Sequence, residues 1–320
     1  MTAKDKLIGT LQANKPTLFI YGMLVIVLVV AEIITPGYLS MDNLSNVLRQ
    51  AAFLGIVAAG QTLVIITAGT DLSVSYLVTL GNVLSAQIMG GSDANIPLAL
   101  FVVALTGLAV GFVNGAGVHF LKIPSLVMTL GMGSVLQGIV FIYTKGAPKG
   151  NTAPLIQEMV SGKVLGTLSP LVFLWIAISI LTIFLLKKTV FGRNVYNVGE
   201  NLPAALRAGV PVGRTLITVY MICGLLSAIT GMILVGYTGT SYLDAGTDYQ
   251  MNSIAAVVMG GTLLSGGKGD YIGTIAGTII ICVLMSVLNI VQMPTFGRHM
   301  IRGAVILIIL MIFGLQSKEK

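Results

Sequence analysis

The amino-acid sequence predicts an all-α polytopic membrane protein of about ten transmembrane helices in two similarly built halves. One short helix lies outside the bilayer between the sixth and seventh spans. Three observations carry this. The 320-residue chain is 55% hydrophobic and only 9% charged, against roughly 25% charged residues in soluble domains. Its apolar residues fall into ten blocks separated mostly by short loops. Finally, the segment Lys187 to Arg214 holds five of the eighteen Lys and Arg residues between two long apolar blocks, so it is a surface that the membrane does not cover.

The blocks justify the spans in order. Lys4, Lys6 and Lys15 precede Leu18 to Ile34, which lacks a small-residue cleavage site and is long for a signal h-region, so it reads as the first span. Further blocks run at Ala51 to Ala68, Leu72 to Met89, Ile96 to Val118, Ser125 to Tyr143, Leu171 to Leu186, Thr215 to Gly236, Ser253 to Leu264, Ile272 to Gln292 and Met300 to Leu315. The eighth is too short to cross a core about 30 Å thick as a straight helix, which predicts a broken segment shielded by its neighbours. The loops leave no room for a second soluble domain. Residues 1–320 thus form one membrane domain, with 1–17 as a cytoplasmic tail and 187–214 as a cytoplasmic loop.

Charge tests that topology. With both tails inside, twelve of the eighteen positive residues are cytoplasmic: Lys4, Lys6, Lys15, Lys122, Lys187, Lys188, Arg193, Arg207, Arg214, Lys268, Lys318 and Lys320. Arg49, Lys145, Lys149, Lys163, Arg298 and Arg302 lie outside, together with Asp42, Asp93, Glu158, Asp244 and Asp248. The bias follows the positive-inside rule. It also accounts for the net charge of +7 by membrane side, with no basic patch for nucleic acid.

Within the island, Asn201 can cap a helix, Pro203 suits its first turn, Ala204 to Arg207 favour helix, and Gly209 ends it. Ala204, Ala205 and Ala208 are small enough for a partner's groove to close over them, and Glu200 and Arg207 stand at the rim. This is a docking helix. A short repeat supports two halves: Gly69-Thr70-Asp71-Leu72-Ser73 recurs as Gly261-Thr262-Leu263-Leu264-Ser265, each after an apolar run and before a Gly-bearing helix.

Catalytic motifs fail on inspection. Gly261 to Gly269 resembles a phosphate loop, but its first Gly is one position early and Gly269 replaces the Ser or Thr that would hold magnesium. It reads as a cytoplasmic turn. Gly267 to Asp270 has the GxGD form of intramembrane aspartyl proteases, whose chemistry needs a second carboxylate close by, and Asp71 is the one candidate. Neither His119 nor His299 has a metal-ligating residue at helical spacing, Cys223 and Cys282 lie in apolar segments, and no GxSxG elbow occurs.

Polar residues within spans are costly and generally face a bundle interior or a water-filled path. Gln61, Thr67, Asp71, Ser73, Asn82, Asn114, Gln137, Asn289 and Gln292 are such residues, and all but Asp71 are neutral. A path lined by amides and hydroxyls suits an uncharged, hydroxyl-rich solute. Interhelical hydrogen bonding requires the same residue types.

Four stretches resemble the membrane subunits of bacterial ABC importers for monosaccharides, of the ribose, xylose, arabinose and galactoside permease type. They are Gly60 to Ser75 (GQTLVIITAGTDLSVS), Val113 to Met132 (VNGAGVHFLKIPSLVMTLGM), Gly192 to Val210 (GRNVYNVGENLPAALRAGV) and Asp248 to Gly269 (DYQMNSIAAVVMGGTLLSGGKG). Departures are Thr70 for the usual Ile, Ser75 for Gly, and Glu200 to Pro203 where Gly-Asn-Pro-x is common. The resemblance implies a non-enzymatic permease subunit in the bacterial inner membrane that binds no cofactor itself. It implies a second permease copy or homologue, a cytoplasmic ATPase, often a tandem polypeptide, that uses ATP and magnesium, and a periplasmic or lipid-anchored sugar-binding protein. Arg193, Gly199, Glu200, Asn201, Pro203, Ala204, Ala205, Arg207 and Gly209 would then couple ATPase motion to the spans. A self-sufficient secondary carrier or channel for a small neutral solute is the alternative, and it leaves the docking helix without a task.

Overall fold

A computed structural model describes residues 15–304 except 165, 299 and 302. The N-terminal tail before residue 15, His299, Arg302, the tenth block beyond residue 304 and the C-terminal lysines lie outside the described residues. Among the described residues the regular elements are helical, with two isolated bridges, Asn151 to Thr240 and Val164 to Leu168.

The helices are α1 (Lys15–Ile34), α2 (Met41–Ile66), α3 (Val74–Met89), α4 (Ile96–Phe120), α5 (Ser125–Thr144), α6 (Pro154–Ser161), α7 (Pro170–Lys188), α8 (Val190–Glu200), α9 (Leu202–Arg207), α10 (Val212–Thr238), α11 (Thr247–Met259) and α12 (Tyr271–Ile290). Six of them, α2, α4, α5, α7, α10 and α12, are long and apolar enough to cross a membrane, and α1 and α3 supply shorter apolar stretches. α2 starts ten residues before its apolar block, because its first three turns are polar yet helical and Asp42 favours the first turn. The eighth segment is the thirteen-residue α11, which starts earlier than its apolar block and stops at Met259. Non-helical residues 260–270 follow, so a short segment shielded by neighbours is what the fold contains there.

Burial places α2 at the centre: 89% of its apolar window is inside the fold, against 22% for α4 and α5, which form the periphery. α10 packs along α4, α3 and α2, and α12 packs on α1, α2 and α11. Helices in lipid gain little from burying apolar side chains against each other, so close backbone approach carries much of the packing. At the α4–α10 crossing, a Cβ on Gly107 would stand 2.6 Å from the Gly224 carbonyl oxygen, and one on Gly224 would stand 2.3 Å from that of Gly107. Only glycine fits on either helix. A buried relay ties three other helices together: Trp175 Nε1 of α7 donates to Tyr271 Oη of α12 at 3.0 Å, which donates to the Gly55 carbonyl of α2 at 2.7 Å.

The end of the bundle that carries Lys187 to Arg214 is hereafter the island end. At the far end, the segment around α6 covers the bundle: Gly91 N–H donates to the Asn151 carbonyl at 3.2 Å, Thr152 N–H to that of Gly239 at 2.9 Å, and Leu155 N–H to Asp93 Oδ1 at 2.9 Å.

Replacing Gly224 with Val should force α4 and α10 apart and lower stability by about 1–3 kcal/mol, as over-packing does in a filled interior. Thermal unfolding in detergent reads this out. Gly138→Val, where an added Cβ meets nothing within 4 Å, should unfold like wild type. Equal unfolding curves for the two variants would show that this contact does not hold the helices together.

Candidate functional site

The island end is a platform built by local capping. Thr189 Oγ1 accepts from Gly192 N–H at 3.1 Å to start α8, and Asn201 Oδ1 accepts from Ala204 N–H at 3.0 Å to start α9. Gly209, at φ +74°, ends the turn after α9. The expected helix at Asn201 to Gly209 is therefore present as α9. The sequence reading missed α8, although Thr189 followed by Phe191, Val195 and Val198 at helical spacing was a usable signal.

α9 shows one face outward. Pro203, Ala204, Arg207 and Gly209 are exposed, as are Leu202, Leu206 and Ala208. Ala205 turns inward and packs with Val198, Val212 and Leu216 of its own chain, so it supports the platform from below instead of meeting a partner's groove. Arg193, Glu200 and Asn201 are exposed, whereas Gly199 is half-buried. A Cβ on Gly199 would stand 1.7 Å from the Ile66 carbonyl oxygen, so it serves close packing within this chain.

The Gly-rich turn fastens this platform to the bundle. Gly267 N–H donates to the Ile66 carbonyl at 2.9 Å and Tyr196 Oη donates to that of Gly269 at 2.9 Å. Burial, with the Asp270 carboxylate adding to it, pushes the Tyr196 phenol up to about 12, so it remains a donor at neutral pH. Asp270, the acid of the GxGD form, accepts from Ile272 N–H at 3.2 Å to cap α12 and pairs with Lys187 Nζ at 2.5 Å.

The intramembrane polar residues divide into three groups. Gln61, Asp71, Ser73 and Asn114 form one buried network. In it, Asp71 Oδ1 accepts from Ser73 N–H at 2.9 Å and from Ser73 Oγ at 2.6 Å. Asn114 Nδ2 donates to Ser73 Oγ at 3.0 Å, and Gln61 Nε2 donates to the Asp71 carbonyl at 3.2 Å. Among the described residues Asp71 has no cation within ion-pair distance. Asn82 stands apart, donating to the Gly231 carbonyl at 3.3 Å and accepting from Tyr242 N–H at 3.2 Å, and Thr67 donates to the Val64 carbonyl at 2.7 Å. Gln137 is half-buried, while Asn289 and Gln292 are exposed, Asn289 accepting from Arg298.

The far end holds a cavity of about 330 Å³ that the polar-residue pattern did not identify. Gln50 and Phe53 of α2, Tyr237 and Thr238 at the end of α10, Tyr242, Asp248, Tyr249 and Asn252 of the α11 region, and Cys282 of α12 line it. Gly239, at φ +80°, ends α10 and turns the chain so that Tyr242 and Tyr249 line the same cavity as Tyr237. The Phe53 and Tyr237 rings meet edge to face at 6.0 Å, and the Arg49 guanidinium sits 5.1 Å from the Tyr237 centroid, fixing that ring. Burial, then the Asp248 and Asp244 carboxylates, raise the Tyr242 phenol, which keeps its proton as a donor. Asn252 is only 7% exposed, and among the described residues its Oδ1 meets no hydrogen-bond partner. A buried acceptor left open costs about 1–3 kcal/mol unless something bonds it. The clue in the sequence was three of the ten tyrosines falling between positions 237 and 249.

Among the described residues no group of three or more His, Cys, Asp or Glu side chains could hold a metal ion. Aromatic faces, amides and a carboxylate around a half-open cavity suit reversible binding of a small hydroxylated molecule.

A family model described as the branched-chain amino acid transport system / permease component matches residues 43–310. The chain belongs to this permease family. The permease is 37% identical over 307 residues to the ribose import permease protein of Bacillus subtilis (strain 168), covering 95% of this chain and 93% of that one. It is 33% identical over 293 residues to the ribose import permease protein of Escherichia coli (strain K12), covering 90% and 91%. With the galactose/methyl galactoside import permease protein of Haemophilus influenzae it shares 30% identity over 334 residues, covering 99% and 98%. No solved structure matches. The permease is a multi-pass protein of the bacterial inner membrane.

Because Asn82 joins α3 to α10 with one end of its amide and to the segment after α10 with the other, Asn82→Leu would leave the Gly231 carbonyl and Tyr242 N–H unpaired. The expected loss is about 1–3 kcal/mol for each group left unsatisfied, seen as a lower unfolding temperature of the purified permease. Wild-type unfolding of this variant would mean that the amide is not structural glue.

Proposed function

We propose that the permease is the translocating subunit of an ATP-driven ABC importer that carries a monosaccharide into the cytoplasm. The far-end cavity carries this reading: three tyrosines supply ring faces for sugar C–H surfaces, and the unpaired Asn252 Oδ1 supplies an acceptor for a hydroxyl. Relatives named for ribose and for galactose and methyl galactoside import support the substrate class.

In this reading ten spans form two halves and the island end is cytoplasmic. A periplasmic or lipid-anchored sugar-binding protein delivers solute to the far end. A second permease copy or homologue completes the membrane unit, and a separate ATPase, in tandem form, docks on α8 and α9 and hydrolyses ATP with magnesium. The permease itself holds neither. The Gln61–Asp71–Ser73–Asn114 network lies between the two ends of α10 and closes the path in the resting state, with Thr67, Asn82, Gln137 and Asn289 as further candidates along it. Arg193, Glu200, Asn201, Pro203, Ala204, Arg207 and Gly209 form the exposed coupling surface, while Gly199 and Ala205 brace it. The exposed α8–α9 platform would have no role in a stand-alone carrier.

Asn252→Leu in the assembled importer should lower sugar uptake about tenfold, the effect of roughly 1.4 kcal/mol from one lost hydrogen bond at a buried acceptor. Undiminished uptake at normal membrane levels would remove the cavity from the path. For coupling, Ala204→Glu is the informative change. It occupies the third helical position after Asn201, where Glu favours a capping box, so α9 itself should stay folded. Its charge and bulk on the exposed face should abolish ATPase copurification and sugar-stimulated ATP hydrolysis. If both persist, α9 is not the docking surface.

A further inference from the structure

A second cavity, about 650 Å³, opens at the island end between the α4–α5 turn and the platform. Its walls are largely apolar, including Leu206 of α9 and Leu216 of α10. Its polar side chains are basic or hydroxyl-bearing, Thr67 among them, with the Asp71 carboxylate behind Tyr220 and outside the lining. His119 and Lys122 bring basic nitrogens, Ser125 brings a hydroxyl, and no acidic side chain is among the lining residues. Pro124 caps α5 without a side-chain acceptor, so the first N–H groups of that helix add partial positive charge at the same place.

Tyr220 is the independent pointer to a ligand. Its side chain is wholly buried and borders the cavity, and among the described residues its hydroxyl has no partner of good hydrogen-bond geometry, although the Ser125 hydroxyl stands beside it. A buried phenol open to a cavity with basic groups is poised to donate to an anionic oxygen. The surroundings set the depth. Phe120 and Leu121 are 67% and 71% exposed and Lys122 follows directly, which is the apolar-to-cationic step of a bilayer boundary.

We infer that this cavity binds an anionic phospholipid, its phosphate held by Lys122, His119 and the Tyr220 and Ser125 hydroxyls, and its acyl chain against the Leu206–Leu216 wall. A free phosphate would satisfy the polar groups but leave that apolar wall uncovered. Because Leu206 belongs to α9, the bound lipid becomes part of the floor of the docking platform. The site lies at the opposite end from the solute cavity, and the inference does not depend on which solute is carried.

The test uses the purified full-length permease in nanodiscs of phosphatidylcholine containing increasing phosphatidylglycerol, with lipid retention read by native mass spectrometry and stability by thermal unfolding. Phosphatidylglycerol should be retained in preference to phosphatidylcholine and should raise the unfolding temperature. Lys122→Gln should weaken its binding about fivefold, the change that corresponds to roughly 1 kcal/mol for one basic residue at an anionic membrane surface. Tyr220→Phe should weaken it as well, and Lys163→Gln at the far end should not. Equal retention of the two lipids, or preference for phosphatidylglycerol that survives both Lys122→Gln and Tyr220→Phe, would overturn the assignment. So would inorganic phosphate alone giving the same Lys122-dependent stabilisation in phosphatidylcholine, because the ligand would then be a free anion. None of these readouts involves transport, so a failure here is separate from a failure of the importer reading.

Discussion

The near-complete burial of α2 constrains the rest of the structure. A span with no lipid-facing side cannot lend polar groups to water or headgroups, so each must find a partner within the protein. Gln61 does so with the Asp71 carbonyl, Thr62 with the Ala58 carbonyl, and the Gly55 carbonyl with Tyr271. Residues that touch α2 must also leave room. A Cβ on Gly55 would overlap the Trp175 indole, and one on Gly60 would stand 2.6 Å from Cys223 Cα. Glycine on the central helix therefore sets where α7 and α10 can run.

That same constraint separates the two cavities. α10 passes the island-end cavity at Tyr220 and reaches the far-end cavity at Leu234 and Tyr237, with Cys223 donating to Gln61 Oε1 at 3.8 Å in between. The interval is filled by the Asp71 network and by glycine-level contacts with α3 and α4, where a Cβ on Gly231 would stand 2.0 Å from the Val78 carbonyl oxygen. At these contacts the backbones leave no room even for an added methyl group. In the proposed importer, a solute passing this interval would need α10 to shift against α3 and α4, and glycine contacts suit such a shift because they present flat backbone surfaces instead of interlocked side chains.

Much of the fold was legible in the sequence because hydropathy in a membrane is a direct physical filter. Blocks such as Ile96 to Val118 and Ser125 to Tyr143 became α4 and α5 with small changes at the ends. Two kinds of feature were not legible. α6 and α8 are short and lie outside apolar blocks, so only capping residues and weak periodicity announce them. Side-chain direction was the other: Gln61 and Gln137 are both amides within apolar runs, yet one is buried in a network and the other half-buried at the periphery. Hydropathy counts both equally. The far-end cavity escaped for a related reason, since tyrosines such as Tyr237 and Tyr249 lie at helix ends, where the amphipathic ring also suits an ordinary membrane boundary. The turn at Gly239 brings them to one cavity.

The direction of Ala205 determines how force on the platform would reach the spans. A six-residue helix exposed on all sides would yield locally under a docked partner, because so short a helix has little stability of its own. α9 is not in that position. Ala205 and Val198 pack on Val212 and Leu216, so α8, α9 and the first turns of α10 share one small core. α8 is in turn fastened through Tyr196 and the Gly267 region to the turn before α12 and to the end of α2. Displacement of the exposed α9 face is consequently passed to α10 through side chains already in contact and to α2 and α12 through hydrogen bonds. The buried alanine keeps that linkage short: a larger residue would lift α9 off Val212 and Leu216, and the platform could then move without moving α10.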